Sequence, residues 1–297
     1  MNTRLTLADH ETADRPGGKK GDLRYAVAFG GGGARGISHI HVIEALDELG
    51  IRPVAISGSS IGAIMGAAMA SGMSGREIRD YTGGLADIAA GRVRFIGSAR
   101  GRIREDYLRI LRFFRFFAEY ARGPVDPDGL HAAIHERAGL ERLSRERIRV
   151  EFLRLLAAPR VLETAGLIAH NGLLERITGG IADLGRLARV VAQTPVDAAP
   201  DPISRLAAFD VASMVDAERL IERLRLSNAE AARLRGYAKA FPALRGRAER
   251  LDAVDIRRLM AEFGLGPVSD AVAALDGEPR PRLTDDARTS LAAFRSG

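Results

Sequence analysis

The sequence predicts an α/β N-terminal segment, a βαβα fragment, followed by an all-α helical region, so the chain is expected to be predominantly helical overall. Three observations support this fold class. Apolar runs at 24–29 and 51–57 are each followed by glycines and then by helical spacing. In 103–120, apolar residues recur at helical spacing with arginines between them. Beyond that stretch the pattern stays helical almost to the end.

The composition limits the chemistry that the chain can perform. None of its 297 residues is cysteine, which excludes disulfides, thiolate metal sites and thiol nucleophiles. Lys and Arg number 44 against 38 acidic residues, and most of the basic residues are Arg. Arginine binds phosphate bidentately, so this excess favours a polyanionic partner. High arginine and alanine content also accompanies GC-rich coding, and both explanations stay open.

The sequence shows neither the pattern of a signal peptide nor that of a membrane helix. Residues 1–23 lack an apolar core segment, so we expect a disordered leader rather than a signal peptide. No apolar run reaches about 18 residues, the length that a membrane helix needs. We therefore expect a cytoplasmic chain without a transmembrane segment.

The first folded segment is predicted at residues 24–79. The order of elements is a strand at 24–29, a glycine loop, a helix at 37–49, a strand at 51–57 and an alanine-rich helix that ends near Ser71. A strand, a crossover helix and a second strand form the unit that builds parallel sheets. Two strands make only a marginal sheet with open edges.

The glycine loop after the first strand has two interpretations. Gly31-x-Gly33-x-x-Gly36 has the spacing of a phosphate-binding loop. A dinucleotide site also needs an acidic residue at the end of the next strand, where this chain has Ile56 and Ser57. The alternative is a loop whose backbone N–H groups form an oxyanion hole.

The second glycine motif favours the oxyanion alternative. Gly58-x-Ser60-x-Gly62 follows a strand and opens a helix, the pattern of a nucleophile elbow. The helix N-terminus behind Ser60 favours developing negative charge. Each motif alone is more often a plain turn, whereas the pair in a βαβ context predicts a serine nucleophile.

On these residues, GGGGARG and GSSIG, the segment 24–79 resembles the patatin-like phospholipases. The resemblance implies a serine acyl hydrolase in which Ser60 attacks a lipid or another acyl ester. It also implies an oxyanion loop, which comprises Gly31, Gly32, Gly33, Arg35 and Gly36.

The catalytic base of that family has no clear equivalent here. The family pairs its serine with an aspartate in an Asp-Gly pair after a later strand. This chain has two such pairs, which begin at Asp128 and Asp276, and neither follows a predicted strand. The base is therefore not identified, and a serine without a base is a weak nucleophile.

The pattern changes near Arg79. Residues 80–102 are predicted to be a linker, and 103–290 a helical region that starts with one amphipathic helix at 103–120. DYTGGLADIAAGRVRFIG and the motif EDYLR are similar to the neck of the CCA-adding tRNA nucleotidyltransferases and poly(A) polymerases. The resemblance, which spans residues 80–297, implies that Asp106 and Arg109 contact the base of a nucleotide. The alternative from spacing alone is an i,i+3 ion pair.

No segment of this sequence resembles the catalytic head of these enzymes. Their metal ions are held by paired carboxylates on a strand. The one Asp-x-Asp here, Asp126-Pro127-Asp128, follows the neck helix in a proline turn. His131 and His135 have a spacing that can bind zinc, but no third ligand is placed to help, and the pattern favours a solvated helix face. We expect no metal site and no cofactor, with Mg²⁺ relevant only if residual nucleotidyl transfer exists.

The sequence is thus a hybrid of two families joined near residues 79–82. The first hypothesis is that the arginine-rich helices bind RNA, in particular tRNA. The alternative is a patatin-like hydrolase acting through Ser60; whether the chain is an enzyme stays open. The third hypothesis is nucleotide addition, in which a nucleotidyl group passes from CTP or ATP to tRNA and pyrophosphate leaves. A functional fusion, a deletion remnant and an assembly artefact all fit the join.

Overall fold

A computed structural model describes residues 24–31, 33–81, 83–195, 197–279 and 281–295. The predicted disordered leader, residues 1–23, lies outside this part. The chain divides into two compact units, with the boundary after Leu85.

The first unit contains a two-stranded parallel sheet and three helices. Strand β1 (Ala26–Phe29) pairs with β2 (Ala55–Gly58) so that Phe29, the last residue of β1, lies beside Gly58. The small core of the first unit contains the buried side chains of Phe29, Ile43 and Met69. A 3-10 helix at Gly33–Ser38 follows the glycine loop. The elements are β1 (Ala26–Phe29), α1 (His39–Glu48), β2 (Ala55–Gly58), α2 (Ile61–Ala70) and α3 (Gly75–Arg79).

The second unit is an array of helices, preceded by α4, which spans the boundary. The helices are α4 (Gly84–Ala90), α5 (Ala99–Glu105), α6 (Leu108–Tyr120), α7 (Pro127–His135), α8 (Arg145–Ala157), α9 (Val161–His170), α10 (Leu174–Ile177), α11 (Leu184–Ala192), α12 (Pro202–Asp210), α13 (Met214–Leu224), α14 (Asn228–Leu244), α15 (Ala253–Phe263), α16 (Leu265–Leu275) and α17 (Asp285–Arg295). A 3-10 helix lies at Arg137–Arg142, and two short strands, β3 (Arg250–Leu251) and β4 (Arg282–Leu283), pair in parallel.

One continuous core holds the second unit together. Large side chains that are almost completely buried come from several helices, as Phe114, Phe152, Phe209 and Tyr237 illustrate. The predicted fold class is confirmed, since an α/β fragment precedes a mainly helical region. The two-residue strands β3 and β4 were not predicted. Among the described residues, no helix is long and apolar enough to cross a membrane.

The predicted single helix at 103–120 is wrong, because α5 ends at Glu105 and α6 begins at Leu108. Asp106 between them has an extended backbone, with φ −155° and ψ 108°. Its carboxylate accepts the backbone N–H of Leu108 at 3.1 Å. Aspartate side chains compete in this way for backbone hydrogen bonds, which ends one helix and starts the next.

Candidate functional site

The two glycine motifs leave the same edge of the β1–β2 sheet. Because Phe29 and Gly58 are paired in a parallel register, the loops that follow them start side by side. The Ser59 N–H donates to the Phe29 carbonyl at 3.1 Å and ties the second loop to the end of the first strand. The fold thus places both motifs together, as their βαβ context predicts.

Ser60 has a strained backbone. Its φ of 52° and ψ of −127° lie in a region that non-glycine residues rarely adopt. The side chain is exposed and makes no capping hydrogen bond to α2. A strained serine between a strand and a helix has the geometry of a nucleophile elbow.

The elbow requires glycine on both sides of Ser60 for steric reasons. A β-carbon at Gly58 would clash with the carbonyl group of Gly62. A β-carbon at Gly62 would lie 2.5 Å from the Gly30 carbonyl oxygen and would also clash with that of Phe29. The tight turn from β2 into α2 therefore excludes a side chain at Gly58, and the close approach of α2 to the end of β1 excludes one at Gly62.

Gly62→Ala is expected to displace α2 from the sheet and to lower labelling of Ser60 by a serine-reactive fluorophosphonate at least tenfold, although Ser60 itself is unchanged. The matched control is Gly30→Ala, because a β-carbon at Gly30 meets nothing within 4 Å. Labelling is measured by mass spectrometry of the intact chain. Equal labelling of the two variants would contradict the steric argument.

The glycine loop lies beside the nucleophile. A β-carbon at Gly31 would be 3.3 Å from Ser59 Oγ and 3.5 Å from Ser60 Cβ. Gly36 is buried and contacts the Ile61 side chain at the start of α2, and Gly33 opens the 3-10 helix. The Ile61 N–H has no acceptor in the described part of the chain. It is therefore free to stabilise an oxyanion next to Ser60.

The residues around the glycine loop differ in part from the predicted oxyanion-loop residues. Gly32 and the side chain of Arg35 lie outside the described residues. His39, which the motifs did not single out, donates from Nε2 to the Gly30 carbonyl at 2.9 Å. Nε2 carries the proton because a carbonyl oxygen can only accept. The His39 ring also packs on Phe29, with centroids 5.2 Å apart. His39 therefore holds the start of the loop.

No base for Ser60 is identified among the described residues of the first unit. The two Asp-Gly aspartates belong to the second unit, with Asp128 in the first turn of α7 and Asp276 directly after α16. In the first unit, Glu44 is paired with Arg79, while Asp47 binds Arg52 and the Gly75 N–H. No described carboxylate hydrogen-bonds to Ser60, and the base stays unidentified.

The residues proposed to contact a nucleotide base make separate ion pairs. Arg147 Nη2 donates to both carboxylate oxygens of Asp106, at 3.1 and 2.9 Å. Arg109 Nη1 donates to Glu105 Oε2 at 2.6 Å and to the Arg102 carbonyl at 2.7 Å. The i,i+3 pair between Asp106 and Arg109 is therefore not formed, and a ligand would have to compete with the existing partners.

The described residues include no group of three His, Asp or Glu side chains that could hold a metal ion. Asp126 caps α7, where its Oδ2 accepts the Gly129 N–H at 2.8 Å. His135 Nδ1 lies 3.1 Å from Arg100 Nη2, and His131 is exposed on the same helix. These side chains have structural contacts or face solvent.

Asp210 is a buried carboxylate of the helical unit, 3% exposed. Arg219 Nη2 donates to its Oδ1 at 2.8 Å, while Oδ2 has no partner among the described residues. Burial raises the pKa of Asp210 from 3.8 to about 6, against the opposing effects of Thr178 and Arg219. Its role is structural, and it makes stability depend on pH.

The free energy of unfolding is expected to fall as pH rises through about 6, because the folded chain holds the Asp210 proton more tightly than the unfolded chain. The stabilisation is complete below the unfolded pKa of about 4, and its loss amounts to about 3 kcal/mol for a shift of about two pKa units. Asp210→Asn removes this titration. Urea unfolding of both proteins between about pH 4 and pH 8 measures the difference. A difference that does not vary with pH would exclude Asp210 as its source.

Comparison with known proteins finds two families in the chain. The model of the patatin-like phospholipase family matches residues 27–274, which is most of the chain. An uncharacterised NTE family protein of Mycobacterium bovis is 55% identical over 49 residues, 16% of this chain and 14% of that protein.

The other similarity is to tRNA nucleotidyltransferases. The mitochondrial CCA tRNA nucleotidyltransferase 1 of Danio rerio is 37% identical over 155 residues, 51% of this chain and 35% of that protein. The chain thus spans about a third of that relative's length. The crystal structure of the Bacillus stearothermophilus CCA-adding enzyme in complex with CTP has a TM-score of 0.52 and 23% identity, and the match covers 72% of this chain and 52% of that one. At this identity the likeness establishes the fold alone.

These findings confirm the hybrid description, in which a patatin-like segment with a nucleophile elbow is joined to a region similar to CCA-adding enzymes. The family model extends from the elbow far into the helical unit. The chain belongs to the patatin-like phospholipase family, and it carries in addition a helical region similar to the CCA-adding tRNA nucleotidyltransferases.

Proposed function

We propose that the helical unit binds RNA, and tRNA in particular, through its arginine-bearing helices. The observation that carries the proposal is the 37% identity over 155 residues to a tRNA nucleotidyltransferase. The fold shared with a CCA-adding enzyme adds support. The proposal is limited to binding, since this sequence has no equivalent of the strand-borne paired carboxylates that hold the metal ions of those enzymes.

The charge distribution of the helical unit also supports RNA binding. Many of its arginines are used in internal ion pairs, as Arg112 and Arg115 are with Glu151. Others are exposed, and their guanidinium groups have no hydrogen bond or carboxylate partner among the described residues. They include Arg122, Arg154, Arg225, Arg247, Arg250, Arg257 and Arg282. Free guanidinium groups of this kind neutralise backbone phosphates.

Fluorescence anisotropy with labelled tRNA at several salt concentrations tests the proposal. The logarithm of the association constant is expected to fall linearly with the logarithm of the salt concentration, with a slope of about one per neutralised phosphate. A single-stranded DNA of equal length is the control for general polyanion binding. Absence of salt-sensitive binding to tRNA would end the proposal.

A second candidate function is hydrolysis of an acyl ester by Ser60, and the strained elbow is the specific observation that favours it. Ser60 Oγ would attack the carbonyl carbon while the N–H groups of Ile61 and the glycine loop stabilise the oxyanion. The alcohol leaves, and water then releases the acid from the acyl-enzyme. An aspartate that is not yet placed would accept the Ser60 proton. A lipid ester is the substrate that family membership suggests.

Covalent capture tests this second function directly. A fluorophosphonate probe is expected to label the peptide that contains Ser60, because such probes react with activated serines. Mass spectrometry of the digested chain locates the label. A chain that is folded by circular dichroism but unlabelled at Ser60 would show that the elbow is inactive.

A further inference from the structure

The pair of short strands in the second unit places two arginines side by side. Strand β3 pairs with β4 in parallel, with Arg250 beside Arg282 and Leu251 beside Leu283. Both leucines are buried, so the alternation of side chains along a strand turns both arginines to the outer face. Neighbouring strands lie about 4.8 Å apart, which brings two positive charges together.

Neither arginine has a partner that would compensate for this arrangement. The side chains of Arg250 and Arg282 are exposed, and their guanidinium groups have no hydrogen bond or ion pair with any residue in the described part of the chain. Like charges at paired positions of a sheet are destabilising. The ladder is nevertheless held at this register by Thr284, whose N–H donates to the Leu251 carbonyl at 3.0 Å.

A cavity of about 320 Å³ lies at the arginine pair. Arg288 of α17 and Asp276 also line this cavity. They form only a weak ion pair, since Arg288 Nη1 lies 4.0 Å from Asp276 Oδ1. The second acidic side chain of the cavity, Glu278, is paired with Arg189 at 2.9 Å. Three guanidinium groups thus face one weakly paired carboxylate, which leaves a net positive cavity.

We propose that Arg250 and Arg282 form a binding site for a phosphate group, and that the phosphate belongs to the backbone of a bound RNA. Two adjacent guanidinium groups match the oxygens of one phosphate, since each donates a fork of N–H bonds. Binding also relieves the repulsion between the two arginines. The choice of RNA as the source of the phosphate rests on the function proposed above, whereas the phosphate site itself rests on the strand register.

The test compares two double variants that remove the same charge. Arg250→Ala with Arg282→Ala is expected to weaken tRNA binding about tenfold and to lower the salt slope by about one or two. The matched control is Arg235→Ala with Arg258→Ala, which removes two exposed arginines that are paired with Glu218 and Asp255. It is expected to have a much smaller effect. Equal losses in the two variants would mean general electrostatics and would overturn the site.

Inorganic phosphate supplies a second readout that does not depend on RNA. It is expected to raise the thermal midpoint of the wild-type chain but not that of the Arg250/Arg282 variant. The midpoint of that variant without phosphate is expected to be no lower than that of the wild type, because a repulsion is removed.

The two readouts separate the possible failures. Protection by phosphate that needs the arginine pair, without an effect on tRNA, would support the site with free phosphate as its ligand and exclude RNA. If the wild type binds no tRNA, the proposed function fails while the phosphate readout still tests the site. No change in either readout would overturn the inference.

Discussion

Replacing Ser60 by alanine is expected to abolish fluorophosphonate labelling and any esterase activity of the chain. Ser60 is the exposed, strained residue of the elbow, with φ of 52°. In the proposed hydrolysis, the neighbouring Ile61 N–H and the glycine loop stabilise negative charge on the carbonyl oxygen of an ester bonded to Ser60. Removal of a catalytic nucleophile lowers activity by several orders of magnitude. The measurement is the labelled fraction of intact chain after a fixed time.

Ser59→Ala is the matched control for this experiment. Ser59 is the adjacent exposed serine, and its backbone N–H bond to Phe29 does not depend on the side chain. The control is therefore expected to keep the elbow and the labelling. Labelling of Ser60→Ala at the wild-type rate would locate the reactive serine elsewhere and refute the hydrolase proposal.

Glu151→Ala is expected to lower the free energy of unfolding of the helical unit by about 3 kcal/mol. The Glu151 side chain is buried, and its two oxygens accept Arg112 Nε at 3.1 Å and Arg115 Nε at 2.7 Å. Arg115 is itself only 13% exposed. Loss of the carboxylate leaves that guanidinium inside the α6–α8 contact with Glu119 as its remaining partner.

Urea unfolding followed by circular dichroism measures this effect, since most of the helix content lies in the second unit. The control is Glu218→Ala, which removes an exposed carboxylate paired with Arg235. Exposed ion pairs contribute little, so the control midpoint is expected to stay close to that of the wild type. Similar midpoints for Glu151→Ala and the control would show that burial adds nothing to this pair.

Much of the first unit could be predicted because its signals are local. The apolar runs, the glycines and the helical spacing define the βαβα order without knowledge of distant contacts. The nucleophile elbow is also local, since the strain at Ser60 follows from five consecutive residues between a strand and a helix. His39 escaped notice because its bond to Gly30 depends on how the loop folds back.

The helical unit shows where local signals end. The 3.6-residue spacing continues from Ile103 to Tyr120 and predicts one helix, yet the Asp106 side chain binds the Leu108 N–H and divides it. The pairing of Asp106 with Arg147 joins residues 41 positions apart, which spacing cannot reveal. The sequence alone therefore could not show which partner Asp106 binds.

The sequence by itself determined the fold class, the two family resemblances and the position of the Ser60 elbow, because each depends on residues that are adjacent or one helical turn apart. Only the tertiary structure decided which charges meet. It paired Asp106 with Arg147, buried Glu151 between two arginines and set Arg250 beside Arg282 across two-residue strands. Such contacts depend on the packing of distant segments, and that packing is the sum of many weak interactions along the whole chain.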